Sequence, residues 1–182
     1  MQTDHIGYAP GVVVLAEVIE KNQHLLAQGI ELKKLELINT IPAQIHLWAD
    51  YNMVDFVLRN LLSNAVKFTQ PGGEIRLQAA IKESWIEIKI TDTGVGIEPQ
   101  LLGRAFSFQN PVSTLGTMKE KGTGLGLIMC HEFIRKHEGE ITIGSEVGKG
   151  TTVTITLPGY FKAIKKKKPD GQVAKNFIRT NA

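Results

Sequence analysis

Cysteine is almost missing from this chain. The single residue, Cys130, excludes an intrachain disulfide framework and a cluster of thiolate metal ligands. It falls within an apolar helical pattern, where a buried structural thiol is expected. Long apolar runs are missing too. None reaches transmembrane length, and no secretory leader is visible. No charge of one sign dominates. Lys and Arg number 21 against 18 Asp and Glu, a formal net charge of +3. Much of that surplus sits in Lys162 and Lys165–Lys168. The remainder is nearly balanced, so composition gives no argument for a nucleic-acid partner. No internal repeat is present. What remains is a chain of 182 residues with 42% hydrophobic residues, enough for one ordinary domain with a real core.

The patterning predicts a flexible lead over residues 1–11, a domain over 12–159 and a basic tail over 160–182. A helix is expected from Val12 to Gln28, ended by Gly29. Two strands follow, Ile30–Leu37 and Gln44–Trp48, separated by an Asn39-Thr40-Ile41-Pro42 turn. The first strand alternates imperfectly, since Leu35 and Leu37 fit Leu32 only through a bulge. Glu74–Ile81 and Trp85–Thr91 alternate cleanly and are close enough for a hairpin. Residues 98–121 lack core anchors beyond a short helical piece and read as a lid. A helix runs from about Leu125 to His137, and Glu140–Ser145 and Thr151–Leu157 read as closing strands.

Between these elements lies Asp50–Thr69, an amphipathic helix with Asp50 as N-cap and Pro71-Gly72-Gly73 as its stop. Leu58, Leu61, Leu62, Ala65 and Phe68 form its apolar stripe. Asn60, Asn64 and Lys67 recur at the same period, so they share one side. Alone, that side reads as an ordinary solvent face. Two glycine clusters change its meaning. Asp92-Thr93-Gly94-Val95-Gly96 ends a strand. Its glycines let a flat ligand approach the backbone, and its aspartate can accept a hydrogen bond from an exocyclic amine. Gly122-Thr123-Gly124-Leu125-Gly126 opens a helix, where unpaired amides and the positive helix end suit phosphate. It is neither a P-loop, for no G-K-[ST] follows, nor a dinucleotide fingerprint. Lys119 and Lys121 stand beside it. The amide oxygen of Asn64 is of the kind magnesium accepts, an ion that keeps several waters and needs few protein ligands.

With these motifs in order, the chain resembles the ATP-binding catalytic domain of sensor histidine kinases, in the superfamily shared with gyrase, Hsp90 and mismatch-repair ATPases. Asn60–Phe68 matches the family's N box, Asp92–Gly96 its first glycine box, Phe106-Ser107-Phe108 its phenylalanine box and Gly122–Leu127 its second glycine box. The stretch Ser145–Leu157 matches its closing hairpin. The phenylalanine box departs from the pattern, for Ser107 stands where an acidic-proline pair is common. The resemblance implies an α/β class, two-layer α/β sandwich of the Bergerat type: a mixed, mostly antiparallel sheet covered on one face by three helices. It implies ATP and magnesium as ligands. Asp92 would hold the adenine amine, flanked by Gly94, Gly96 and Ile97, and Thr151 or Thr152 would close that pocket. Asn64 would coordinate magnesium and Asn60 would support the same end. Lys67, Lys121, Gly122, Thr123, Gly124, Leu125, Gly126 and Leu127 would form the phosphate side. Phe106 and Phe108 would pin the lid.

Members of the superfamily that hydrolyse ATP carry glutamate where this chain has Asn60, and an amide cannot serve as general base. The resemblance therefore implies phosphoryl transfer to a histidine held on a separate dimerisation domain, with a response regulator downstream. His131-Glu132 superficially resembles the acceptor motif. It lies on the helix that starts at the phosphate box, so it cannot reach a nucleotide held at that helix's own start, and it reads as a helix-surface histidine. An anti-sigma-type serine kinase and a non-catalytic nucleotide-binding module are the alternatives. The domain is expected to be cytoplasmic and to touch neither membrane nor nucleic acid, with membrane anchoring of a longer parent left open.

Overall fold

The computed structural model describes residues 7–107, 115–120, 122 and 124–160. In chain order the elements are β1 (Gly11–Val14), α1 (Leu15–Leu32), β2 (Glu36–Asn39), β3 (His46–Ala49), α2 (Tyr51–Phe68), β4 (Glu74–Lys82), β5 (Trp85–Asp92), a short α3 (Pro99–Leu102), α4 (Gly126–Lys136), β6 (Glu140–Glu146) and β7 (Gly150–Pro158). The main sheet has five strands in the order β2-β4-β5-β7-β6. β2 runs parallel to β4, and the other neighbours are antiparallel. Strand alternation sends Ile75, Leu77, Ile86, Ile88, Ile90, Ile155 and Leu157 to one buried face. The helices α1, α2 and α4 cover that face. The opposite face carries Arg76, Gln78, Thr152 and Thr154 and is more exposed. This is the two-layer sandwich with a mixed sheet that the resemblance implied.

α2 is the central helix of its layer, packed against α1, α4 and β5. The Asp50 side chain caps it, accepting from Met53 N–H at 3.1 Å. Leu58, Leu61, Leu62 and Ala65 are buried. Each fully buried leucine contributes roughly 1.5–3 kcal/mol, so the stripe fixes α2 without help from its polar side. His137 pins the start of the helix. Its Nε2 accepts from Asp50 N–H at 2.9 Å, and its Nδ1–H donates to Phe133 O. Burial pulls the imidazole below its ordinary range, consistent with a neutral ring in that tautomer.

Three expectations for the first forty residues are corrected. Val12 does not start a helix. Three successive valines favour a pleated backbone, and β1 pairs with β3 in a separate two-stranded sheet. Gly29 does not end α1, which continues to Leu32. A methyl group on Gly29 would stand 3.2 Å from Val66 Cγ1, so this glycine serves the close approach of α1 to α2. The helix ends instead in a Schellman turn. Lys34 takes the left-handed conformation at φ 52°, Lys34 N–H bonds Glu31 O, and Leu35 N–H bonds Ile30 O. The strand expected from Ile30 is therefore only Glu36–Asn39. Its broken alternation has a simple cause, because Leu32 belongs to the helix.

Candidate functional site

The polar side of α2, the end of β5, the start of α4 and inward residues of β6 and β7 enclose one cavity of about 420 Å³. That lies in the range that takes a nucleotide-sized molecule. A shallower groove of about 680 Å³ along α1, lined by Glu20, His24, Glu31 and Lys34 among others, opens widely to solvent and contains none of the predicted residues.

Asp92 closes one end of the cavity. It is 8% exposed. Register places it opposite Thr151 on β7, and its Oδ1 accepts from Gly94 N–H at 2.8 Å and Thr151 N–H at 3.3 Å. Oδ2 has no hydrogen-bond donor among the described residues. Desolvation raises the carboxyl above its ordinary range, while the two backbone bonds pull the other way. The glycine loop beyond it is tied down on both sides. Val95 N–H donates to Phe68 O at the end of α2, and Gly148 N–H donates to Val95 O. A methyl group on Gly94 would lie 2.5 Å from Phe68 O, and one on Gly96 would strike Glu146 O. Ile97 N–H donates to Ser145 Oγ at 2.9 Å. Ser145 also bonds Gly150 O and the Thr151 hydroxyl, each at 2.9 Å. With its one proton given to Gly150 O, Ser145 accepts from Thr151, which leaves the lone pairs of Thr151 Oγ1 available.

The other end is built from side chains. Asn60, Asn64 and Lys67 project from α2 into the cavity. Asn60 Nδ2 donates to Phe56 O at 2.9 Å, so its oxygen turns to the start of α4. A methyl group on Gly126 would stand 2.5 Å from that oxygen. The Asn64 amide has no hydrogen-bond partner among the described residues. Desolvation lowers the Lys67 ammonium, Glu120 opposes that shift and Lys33 adds to it. Gly122, Gly124, Gly126 and Leu127 face the cavity from the α4 side. Apolar walls come from Ile90, Val95, Leu101, Ile143 and Val153, among others.

Of the residues read from the sequence, the cavity gathers Asn60, Asn64, Lys67, Asp92, Gly96, Ile97, Gly122, Gly124, Gly126 and Leu127. Gly94 packs behind Asp92. Leu125 caps α4 and points outward, about half exposed. Thr152 is not in the cavity. Its hydroxyl meets Thr91 Oγ1 at 3.1 Å on the opposite face of the sheet, and Thr151 takes the cavity position. Strand alternation could have shown this, because Thr151 is in phase with the buried Ile155 and Leu157. Phe108, Lys121 and Thr123 lie outside the described residues. Phe106 stacks on the His131 ring of α4, centroids 5.2 Å apart. Cys130 is buried, its thiol pushed up to about 12 by desolvation, so it is an inert core residue. Sequence reasoning missed Ser145, Lys33 and Glu120. The last two read as ordinary surface charges, and nothing local distinguishes them.

Residues 49–160 match the family of histidine kinase-, DNA gyrase B- and HSP90-like ATPases, and the chain belongs to that family. The sensor protein SrrB of Staphylococcus aureus is 42% identical over 113 residues, 62% of this chain and 19% of that protein. The chain thus spans about a fifth of the length of the curated relatives it matches. Among solved structures, the mycobacterial sensor histidine kinase MprB aligns with a TM-score of 0.68 at 26% identity, covering 83% of this chain and 98% of that one. The catalytic domain of histidine kinase ThkA aligns with a TM-score of 0.71 at 24% identity, covering 82% and 95%. ThkA has also been solved in complex with a response regulator protein, TrrA, a structure that aligns with a TM-score of 0.69 at 21% identity over 88% of this chain and 44% of that one. Among the described residues no helix is long and apolar enough to cross a membrane.

Proposed function

We propose that the cavity binds ATP with magnesium and presents its γ-phosphoryl group to a histidine on a separate dimerisation domain. A response regulator would then receive the phosphoryl group, as the similarity to sensor kinases and the ThkA complex suggest. The observation that carries this reading is the placement of Asp92. One carboxylate oxygen is held by two backbone amides, and the other is left to accept an exocyclic amine from a planar base. Such a bond would be made in a mostly apolar site, where it is stronger than in water. A base seated there would lie beside Ile97 and Thr151, with its phosphates directed toward Lys67 and the glycines before α4.

The residues at that second end fit a magnesium–phosphate group. Asn64 offers an amide oxygen with no competing partner among the described residues, and the Asn60 oxygen faces the same region. No group of three His, Cys, Asp or Glu among the described residues could hold an ion by itself, which agrees with a metal bound mainly by phosphate and water. When bound, the ion neutralises phosphate charge. The chain's own residues position the triphosphate: Lys67 by charge, and the backbone amides at the start of α4 by hydrogen bonds. The acidic residues lining the cavity, among those described, are Asp92 and Glu98. Neither replaces the glutamate of the hydrolysing relatives at Asn60. Transfer breaks the bond between the γ-phosphorus and the β,γ-bridging oxygen and forms a phosphorus–nitrogen bond to the incoming imidazole, with ADP as leaving group.

Calorimetric titration with ATP, with and without magnesium, tests the site. Transfer of label from γ-labelled ATP to a histidine-bearing helical domain added in trans tests the reaction. The expected product is acid-labile and alkali-stable. A folded protein without a magnesium-dependent response to ATP rules the reading out, and label appearing on serine of an added partner redirects it to a serine kinase.

A further inference from the structure

Three parts of the chain meet at the C-terminal end of α2. The last carbonyls of a helix have no partners within it. Here each is satisfied, by the cap residue or by another part of the chain. Ala65 O accepts from the N–H and the hydroxyl of Thr69. Phe68 O accepts from Val95 N–H of the first glycine loop. Lys33 Nζ donates to Val66 O and Lys67 O, both at 2.8 Å. Thr117 N–H donates to Lys67 O, and the Thr117 hydroxyl lies 3.0 Å from Thr69 O.

Lys33 is 2% exposed. The Schellman turn at the end of α1 fixes its backbone. Besides the two carbonyls, its ammonium reaches Thr117 Oγ1 at 2.8 Å and Glu120 Oε1 at 2.6 Å. The other Glu120 oxygen accepts from Met118 N–H at 2.7 Å, and Gly116 N–H donates to Glu120 O. Residues 116–120 are thus a closed turn, bolted through one carboxylate and one hydroxyl to the end of α2. Gly116 lies directly against Lys67 Cγ and the Glu120 carboxylate. A buried ammonium is tolerated only where it is paired and hydrogen-bonded. The negative end of the α2 dipole and Glu120 meet both conditions.

We propose that Lys33 is a positioning residue for phosphate binding. By clamping the 116–120 turn to the end of α2, it sets where Gly122 and the glycines before α4 stand relative to Lys67, Asn60 and Asn64. Gly122 follows Glu120 by two residues and faces the cavity, so a stem that drifts carries the phosphate wall with it. Lys33 touches no cavity surface and acts through Glu120 and Thr117. The inference rests on the nucleotide reading of the cavity.

The test is NMR titration of the wild type, Lys33→Met, Glu120→Gln and Asp92→Asn with ATP–magnesium and, separately, with adenosine. Amide exchange of Gly116 and Thr117 is followed in the same samples. The clamp should matter only for the phosphate part of the ligand. Lys33→Met and Glu120→Gln are expected to weaken ATP about tenfold through lost preorganisation, to leave adenosine unchanged and to speed exchange at both amides. Asp92→Asn is expected to weaken both ligands. Glu120→Gln alters a side chain already about one-third exposed and decides the question alone should Lys33→Met not fold. Equal loss of ATP and adenosine in the clamp variants overturns the proposal, since that marks general damage. Unchanged ATP affinity overturns it as well. A wild type that binds adenosine and ATP while both variants keep ATP overturns only this inference. A wild type that binds neither overturns the nucleotide reading with it.

Discussion

At the Asp92 end of the cavity, glycines stand where a methyl group would strike main-chain oxygen: Gly94 against Phe68 O, Gly96 against Glu146 O and Gly150 against Asp92 O. At the α4 end the equivalent neighbours are side-chain atoms, the Asn60 amide beside Gly126 and the Glu120 carboxylate with Lys67 Cγ beside Gly116. Backbone held in a sheet or at a packed helix end cannot easily yield, whereas the end of a side chain can rotate away. The Asp92 end is therefore a preformed slot whose shape belongs to the fold. The α4 end is adjustable, and its order depends on contacts such as the Lys33 clamp. This division suits a ligand with one rigid planar part and one flexible charged part.

The comparison is broken most severely at Gly150. Its φ of 114° is one that residues with a side chain rarely adopt, and its methyl group would collide with Asp92 O. Gly150→Ala should cost at least about 3 kcal/mol or prevent folding. Gly148, in the same turn, has φ 78° and open space around it. Gly148→Ala should cost only the left-handed penalty of about 1 kcal/mol. Chemical denaturation of both variants measures the difference. Equal costs would show that the slot is not held by backbone contact.

Next in size is Asp92→Asn, which keeps an oxygen for Gly94 and Thr151 but loses the charge. ATP affinity should fall by two orders of magnitude or more, about 3 kcal/mol. Stability should move the other way. Desolvation raises the folded carboxyl above its unfolded value of 3.8. The native state therefore holds the proton more tightly, and stability is lost as pH rises from that value through the raised folded one. At neutral pH the wild type carries this penalty and the variant does not. The variant without nucleotide should melt higher, and the difference in Tm from wild type should vanish at a pH below 3.8. A variant that loses both binding and stability would mean that Asp92 serves the fold first.

Gly126→Ala probes the adjustable end. The nearest neighbour of its methyl group is the Asn60 side chain, with the amide oxygen foremost, so the fold should survive. The displaced amide should weaken ATP–magnesium by about five- to tenfold, roughly 1–1.4 kcal/mol. Calorimetry on a variant with unchanged Tm measures it. Loss of folding here would make the two ends alike.

Much of this organisation is legible in the sequence, because the slot is made of glycines and of one helix with an unusual polar period. Asn60, Asn64, Lys67 and Asp92 announce themselves through spacing and neighbouring motifs. The start of the chain is less legible. Val12–Val14 continue an apolar pattern that helix and strand share, and Gly29 is a packing glycine that looks like a stop signal. Lys33 is illegible for a different reason. Its role comes from partners 33 to 87 positions away, Val66, Lys67, Thr117 and Glu120, which only the packed fold brings together.

Thr151 and Thr152 give the finest division, since the two differ by one step of a strand. The motif alone leaves both open, and the pleat decides between them. Thr151 lines the cavity beside Asp92, in the same register row, while the Thr152 hydroxyl meets Thr91 on the far face. Thr151→Val removes a hydroxyl from the slot and takes one of two donors from Ser145, leaving it Ile97 N–H. It should weaken ATP by a few-fold, on the order of 1 kcal/mol, the net worth of one hydrogen bond. Thr152→Val should leave affinity unchanged within about twofold, and valine suits a strand position as well as threonine does. Competition binding with a fluorescent nucleotide compares the pair. If Thr152→Val were the damaging change, β7 would have to lie one residue out of register, and every inward residue from Thr151 to Leu157 would face the wrong side. The pair therefore tests the strand register beneath the slot as well as the slot itself.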